Sequence, residues 1–205
     1  MSDKNKSKKA HALAAAKTTD LKITQVALHL EYLFDRGVNF RDRIITLRGE
    51  IDEPMFDIVD SALSEMEHHS KSTVTIRIFS EGGSVYEALA IVGRIRRSKC
   101  HIVTEGYGCI MSAATLIFSC GHRRVMSEFC QFMHHEASYG VDGRHTAVKA
   151  TVEQMEREER LWAKWMSRFS EKDENFWYDF AQHTDKYFTA EECLELGVSD
   201  EILIG

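Results

Sequence analysis

No two of the five cysteines (Cys100, Cys109, Cys120, Cys130, Cys193) are spaced as CxxC, and their number is odd. That excludes a disulfide framework and a zinc ribbon; the apolar segments around them read as reduced core thiols of a cytoplasmic protein. Positive charge is short as well. With 26 Lys and Arg against 32 Asp and Glu, the net charge of −6 gives no support to nucleic-acid binding as the main task. No apolar run reaches the roughly 18 residues of a membrane span. The N-terminus has no apolar stretch of the signal-peptide kind. Proline occurs once, at Pro54, and there is no internal repeat. What is present is a hydrophobic content of 43% over 205 residues, enough for a real core in one domain plus an arm.

Residues 1–20 (MSDKNKSKKAHALAAAKTTD) are basic, small and without an apolar face, so they are expected to form a flexible arm. Residues 21–205 are expected to form one domain. From Arg43 onward the apolar period keeps switching. RIITLRGEI (43–51) has the β-branched density of a strand. Asp52, Glu53 and Pro54 then open a helix whose apolar positions are Met55, Ile58, Val59, Ala62, Leu63 and Met66. VTIRIFS (74–80) predicts a second strand, SVYEALAIVGRIRR (84–97) a second helix capped by Ser84, and HIVTEGY (101–107) a third strand. MSAATLIFSCG reads as a third helix stopped by Gly121, and RRVMS and FCQFMHH continue the β pattern. Strands separated by helices imply a mostly parallel sheet built from right-handed crossovers. Val148, Val152, Met155, Trp162, Met166 and Phe169 mark one face of a helix of about 25 residues, an apolar stripe larger than one small sheet needs. TAEECLELG carries a Thr189…Glu192 capping box, and VSDEILI closes the chain as a strand.

Three features fall at strand ends, where an α/β fold places ligands. SEGGSV puts two bare backbone amides, Gly82 and Gly83, between a strand and a helix, where they could face a developing negative charge. Ser112 follows Gly108 at a strand-to-helix transition; it is either exposed there or simply packed in a small-residue helix. His134 and His135 are adjacent, so in a strand their rings point to opposite faces. That makes them a poor pair of metal ligands but leaves one ring free to serve a site. A hydroxyl nucleophile needs a base, a group that orients the base, and donors for the oxyanion. Ser112, His135 and the Gly82–Gly83 backbone are candidates for the first, second and fourth of these.

The segments RIITLRGEI, SEGGSVYEALAI, GCIMSAATLIFSCG, FMHHEA and YFTAEECLELGVSDEI, in that order from Asp42 to Ile204, resemble the proteolytic subunit of Clp protease (ClpP). The resemblance implies the ClpP/crotonase-like α/β fold, with a long helix that protrudes for ring–ring contact. It implies a serine endopeptidase acting on unfolded polypeptide, assembled as heptameric rings, usually stacked, with no metal or other cofactor. The family's G-x-A-A-S stretch has two registers here. Gly106 would place Ile110 at the nucleophile and give an inactive ring subunit that scaffolds or regulates an active relative. Gly108 would place Ser112 there and also accounts for Gly121. The family's M-x-H motif implies His135 as base, and its glycine pair implies Gly82 and Gly83 at the oxyanion. For the third triad member, a gapless count lands on Ala181, while Asp185 and Asp179 are the nearby acids; Asp185 is the choice. The family's usual prolines are replaced by Glu81 and Ala137, and Glu81 would oppose an oxyanion if it pointed inward. The long helix matches the family's ring-interlocking region, with Trp162, Trp165 and Met166 as candidates for that packing. The segment LHLEYLFDRGVNF departs from the family's axial loop, which leaves docking of an AAA+ ATPase unfoldase open. An acyl-CoA enzyme of the related crotonase group is the reading in which Ser112 and His135 are coincidental.

Overall fold

The computed structural model describes residues 17–18, 22, 31, 33, 35–181 and 184–205. The arm expected over residues 1–20 therefore lies outside the described residues, apart from Lys17 and Thr18.

The described residues form one eight-stranded sheet and six helices. After the short β1 (Val38–Asn39), the chain alternates β2 (Ile44–Ile51), α1 (Glu53–His69), β3 (Val74–Gly83), α2 (Val85–Arg96), β4 (Ile102–Met111) and α3 (Ala113–Ser119). Then come β5 (Arg123–Ser127), β6 (Gln131–His134), α4 (His145–Ser167), α5 (Glu174–Ala181), β7 (Lys186–Phe188), α6 (Ala190–Glu195) and β8 (Glu201–Leu203). The sheet order is β1-β2-β3-β4-β5-β8, with β6 leaving the path from β4 and β7 pairing β6. Every pairing from β2 to β8 is parallel except β6–β7, as the alternation of strands and helices predicts.

Local chemistry sets these boundaries. The Asp52 carboxylate accepts from Met55 N–H at 3.0 Å, and Pro54 occupies the first turn of α1, where a missing N–H is harmless. Ser84 caps α2 by accepting from Glu87 N–H. At α6 both bonds of the Thr189/Glu192 capping box are present. The core lies between one face of the sheet and α1–α3. Ile45, Leu47, Ile76, Ile78, Leu63, Ile91 and Phe118 are at most 1% exposed, and each such side chain contributes roughly 1.5–3 kcal/mol by leaving water.

Two features differ from what periodicity suggests. The apolar stripe of α4 divides: Met166 is buried in the chain's own core and Trp162 and Trp165 pack against it, whereas Val152, toward the other end, is exposed. The expected ring-packing role of Met166 thus gives way to intramolecular packing, and the exposed large apolar side chains of the helix are Val152 and Leu161. The second feature is the far face of the sheet, where Phe79 and Tyr107 stand half-exposed under the guanidiniums of Arg48 and Arg77.

Candidate active site

The position of Ser112 is set by a bulge. β3 and β4 pair in register from Val74↔Ile102 to Ile78↔Gly106, and then the partner of Ser80 is Ile110. Positions 78 to 80 on one strand thus span 106 to 110 on the other. Gly108 absorbs the excess at φ +63°, and a Cβ there would lie 3.0 Å from the Phe79 ring. The bulge returns Ile110 to the core, fully buried, and delivers Ser112 to the end of the strand. Ser112, not Ile110, therefore stands between the end of β4 and the start of α3. Ser119, the other serine of this run, is core: it donates to Thr115 C=O at 2.7 Å.

Ser112 itself sits at φ +53°, ψ −125°. A non-glycine residue in that region stores on the order of 1–3 kcal/mol of strain, and a sharp strand-to-helix turn of this kind presents a nucleophile's side chain. Its N–H donates to Met133 C=O at 2.9 Å, tying the turn to β6. His135 follows β6 directly, on the face opposite to His134, as alternation requires. Its Nε2 lies 2.8 Å from Ser112 Oγ. Asp185 arrives from the other side. β7 runs antiparallel to β6 with Lys186 opposite His134, which sets Asp185 against His135. Its Oδ1 is 3.7 Å from His135 Nδ1, an ion-pair contact longer than a hydrogen bond, and its side chain is 56% exposed. Asp179 stays exposed on α5, and Ala181, the gapless alternative, has no carboxylate.

The two glycines have different environments. Gly82 is buried at φ +104°, and a Cβ on it would lie 2.6 Å from Ser112 Cβ. Its N–H donates to Ser80 Oγ at 3.1 Å, and Ser80 Oγ donates to Gly49 C=O at 2.6 Å. Ser84 N–H donates to Ile51 C=O of β2. Gly83, exposed at φ +148°, follows the last β3–β4 pair, Ser80↔Ile110. Sequence reasoning missed Ala113. Its amide opens α3, where no intrahelical acceptor exists, and lies 3.1 Å from the Cβ position of Gly82. The available signal was positional: the amide after a nucleophile on such a turn faces the oxyanion.

Glu81 is exposed and stands near Cys109, whose thiol is pushed up by burial and then by that carboxylate. Burial drives Cys120 and Cys130 up to about 12, so these thiols stay protonated. Among the described residues no group of three or more His, Cys, Asp or Glu could hold a metal ion, and no helix is long and apolar enough to cross a membrane.

His134 is the structural member of the pair. It is 4% exposed and meets Trp177 edge-on at 5.3 Å. Burial, and secondarily the neighbouring His135, lower its pKa to about 4. The unfolded chain protonates this imidazole near its ordinary 6.5, whereas the folded chain resists until about 4. Stability from this residue is therefore complete above pH 6.5 and declines as pH falls toward 4, by about 3 kcal/mol in all. Urea denaturation at pH 7 and pH 4.5 should show that decline in the native chain and a smaller one in His134→Phe. Equal slopes in the two proteins would show that His134 is not the group responsible.

Comparison with known proteins bears on this geometry. The Clp protease family profile matches residues 33–204. The chain is 28% identical over 179 residues to ATP-dependent Clp protease proteolytic subunit 2 of Corynebacterium efficiens, covering 83% of this chain and 86% of that protein. It is 25% identical to proteolytic subunit 1 of Corynebacterium jeikeium, covering 85% and 93%. With proteolytic subunit 3 of Rhodococcus jostii the identity is 27%, covering 80% and 82%.

Proposed function

The chain belongs to the Clp protease family, and from that premise we propose that it is a serine endopeptidase acting on unfolded polypeptide within an oligomeric chamber. The observation that carries this reading is the 2.8 Å contact between His135 Nε2 and Ser112 Oγ on a strained strand-to-helix turn. Ser112 Oγ attacks the peptide carbonyl carbon while His135 Nε2 takes its proton. His135 then returns that proton to the departing amine as the C–N bond breaks. Water, deprotonated by the same imidazole, releases the acyl group from Ser112. Asp185 orients the ring through Nδ1. The glycine pair serves the oxyanion in two ways: Gly83 N–H, with Ala113 N–H, donates to it, and Gly82 lets the strand approach Ser112.

Assembly belongs to the same proposal. Parallel sheets are normally covered on both faces, yet this one leaves Phe79 and Tyr107 half-exposed, and the first half of α4 projects with Val152 uncovered. Stacked heptameric rings of identical chains would cover both surfaces. The names of the relatives describe ATP-dependent proteases. An ATPase unfoldase that feeds the chamber of this chain is part of the proposal by that analogy.

A second reading is an inactive ring subunit. The long, solvated contact of Asp185 with His135 favours it. A fluorophosphonate probe separates the two. Stoichiometric labelling of the assembled protein, lost in Ser112→Ala, is the expected result; an unlabelled protein would mean that the subunit is inactive.

A further inference from the structure

Ser112 and His135 border a cleft of about 60 Å³ that runs between the segment after β6, α4 and α5. Its walls are of two kinds. Trp162 and Tyr178 supply aromatic surface, with the fully buried Trp177 behind them, and Glu158 and Glu159 of α4 supply two carboxylates, with Glu136 beside them; no lysine or arginine lines it. Both α4 glutamates are half-buried. Glu158 is held by neutral donors: its Oε1 accepts from Tyr86 Oη–H and from Gln154 Nε2–H, each at 2.9 Å. Those bonds fix the carboxylate without cancelling its charge. Arg157 and Arg160 flank the two glutamates in sequence; Arg160 lies over the Tyr178 ring at 4.1 Å, and among the described residues neither arginine forms an ion pair with Glu158 or Glu159. The pKa of Glu159 is raised, first by burial and then by the charges of Glu136 and Glu156. The cleft is thus a partly dehydrated, negatively charged volume beside a hydroxyl that could attack a peptide.

Different occupants fare differently there. A leucine or phenylalanine side chain would cover the aromatic walls but strip more water from carboxylates that gain no partner, which is unfavourable. A lysine or arginine lays its methylene stem along the rings and carries its cation to the carboxylates.

We propose that this cleft selects a lysine or arginine side chain next to the bond that is cleaved, with Glu158 and Glu159 as the specificity-determining residues. The inference rests on the peptidase reading of Ser112. It is tested on the full, assembled chain with two internally quenched peptides that differ only in lysine or leucine beside the cleavage point. Cuts are located by mass spectrometry. The lysine peptide should be favoured at least tenfold in kcat/KM, mainly through KM, and the ratio should shrink with added salt. Glu158→Gln and Glu159→Gln should each lower the ratio severalfold, and Glu159→Lys should reverse it. Equal rates, or faster cleavage of the leucine peptide by the native chain, would overturn the inference while leaving the peptidase reading intact. Because that comparison uses the native protein, it decides the matter even if a variant fails to assemble. Hydrolysis of neither peptide would overturn the peptidase reading itself, and with it the inference.

Discussion

His135→Ala is expected to lower kcat for peptide hydrolysis by a factor on the order of 10⁴ to 10⁶ while KM changes little. In the proposed peptidase mechanism the imidazole both takes the proton of Ser112 Oγ and delivers it to the leaving amine, so its loss would remove two transfers at once. Nothing nearby replaces it. His134 points into the core with a pKa of about 4, and the buried thiols hold their protons. Asp185→Asn is expected to be milder, about 10- to 10²-fold. A carboxylate 56% exposed and 3.7 Å from Nδ1 is shared with water and stabilises the imidazolium less than a buried, hydrogen-bonded one. Steady-state kinetics of the two variants on one peptide would check the ranking. A loss in Asp185→Asn as large as in His135→Ala would mean that the Asp185 contact closes to a hydrogen bond in the working assembly.

The parts of this site that were legible in the sequence are those fixed by local chemistry. Asp52 with Pro54, Ser84, and Thr189 with Glu192 announce helix starts through side-chain acceptors that act within four residues. Strand alternation separates His134 from His135 before any contact is known. What remained open depends on contacts distant in sequence. The choice between Ile110 and Ser112 turns on a bulge at Gly108, where the positive φ and the nearby ring of Phe79, on another strand, call for glycine. Asp185, and not Asp179, is brought against His135 by the antiparallel register of β7 on β6, which no local pattern encodes. Ala113 escaped notice because a backbone donor leaves no mark in its residue type. The stripe of α4 shows which positions are apolar but not what covers them, so it leaves Met166 a candidate for ring packing although the residue belongs to the chain's own core.

Gly82→Ala is expected to impair both folding and chemistry. The added Cβ would lie 2.6 Å from Ser112 Cβ and 2.8 Å from Met111 O, both parts of the turn that presents the nucleophile. Neither neighbour is the far end of a flexible side chain, so relief requires the backbone to move. The φ of +104° adds strain for any residue with a Cβ. Overpacking and backbone strain together should remove about 2–4 kcal/mol of stability. The displacement also shifts Ser112 Oγ from His135, and misplacement by about 1 Å costs on the order of 10²-fold in rate. Gly93→Ala is the matching control. Gly93 lies within α2 with nothing within 4 Å of its Cβ position and no positive φ, so alanine there should stabilise by about 0.5–1 kcal/mol. Denaturation midpoints and kcat measured on both variants check the pair. Gly82→Ala that retains native stability and full turnover would show that the glycine is not needed for close approach to Ser112.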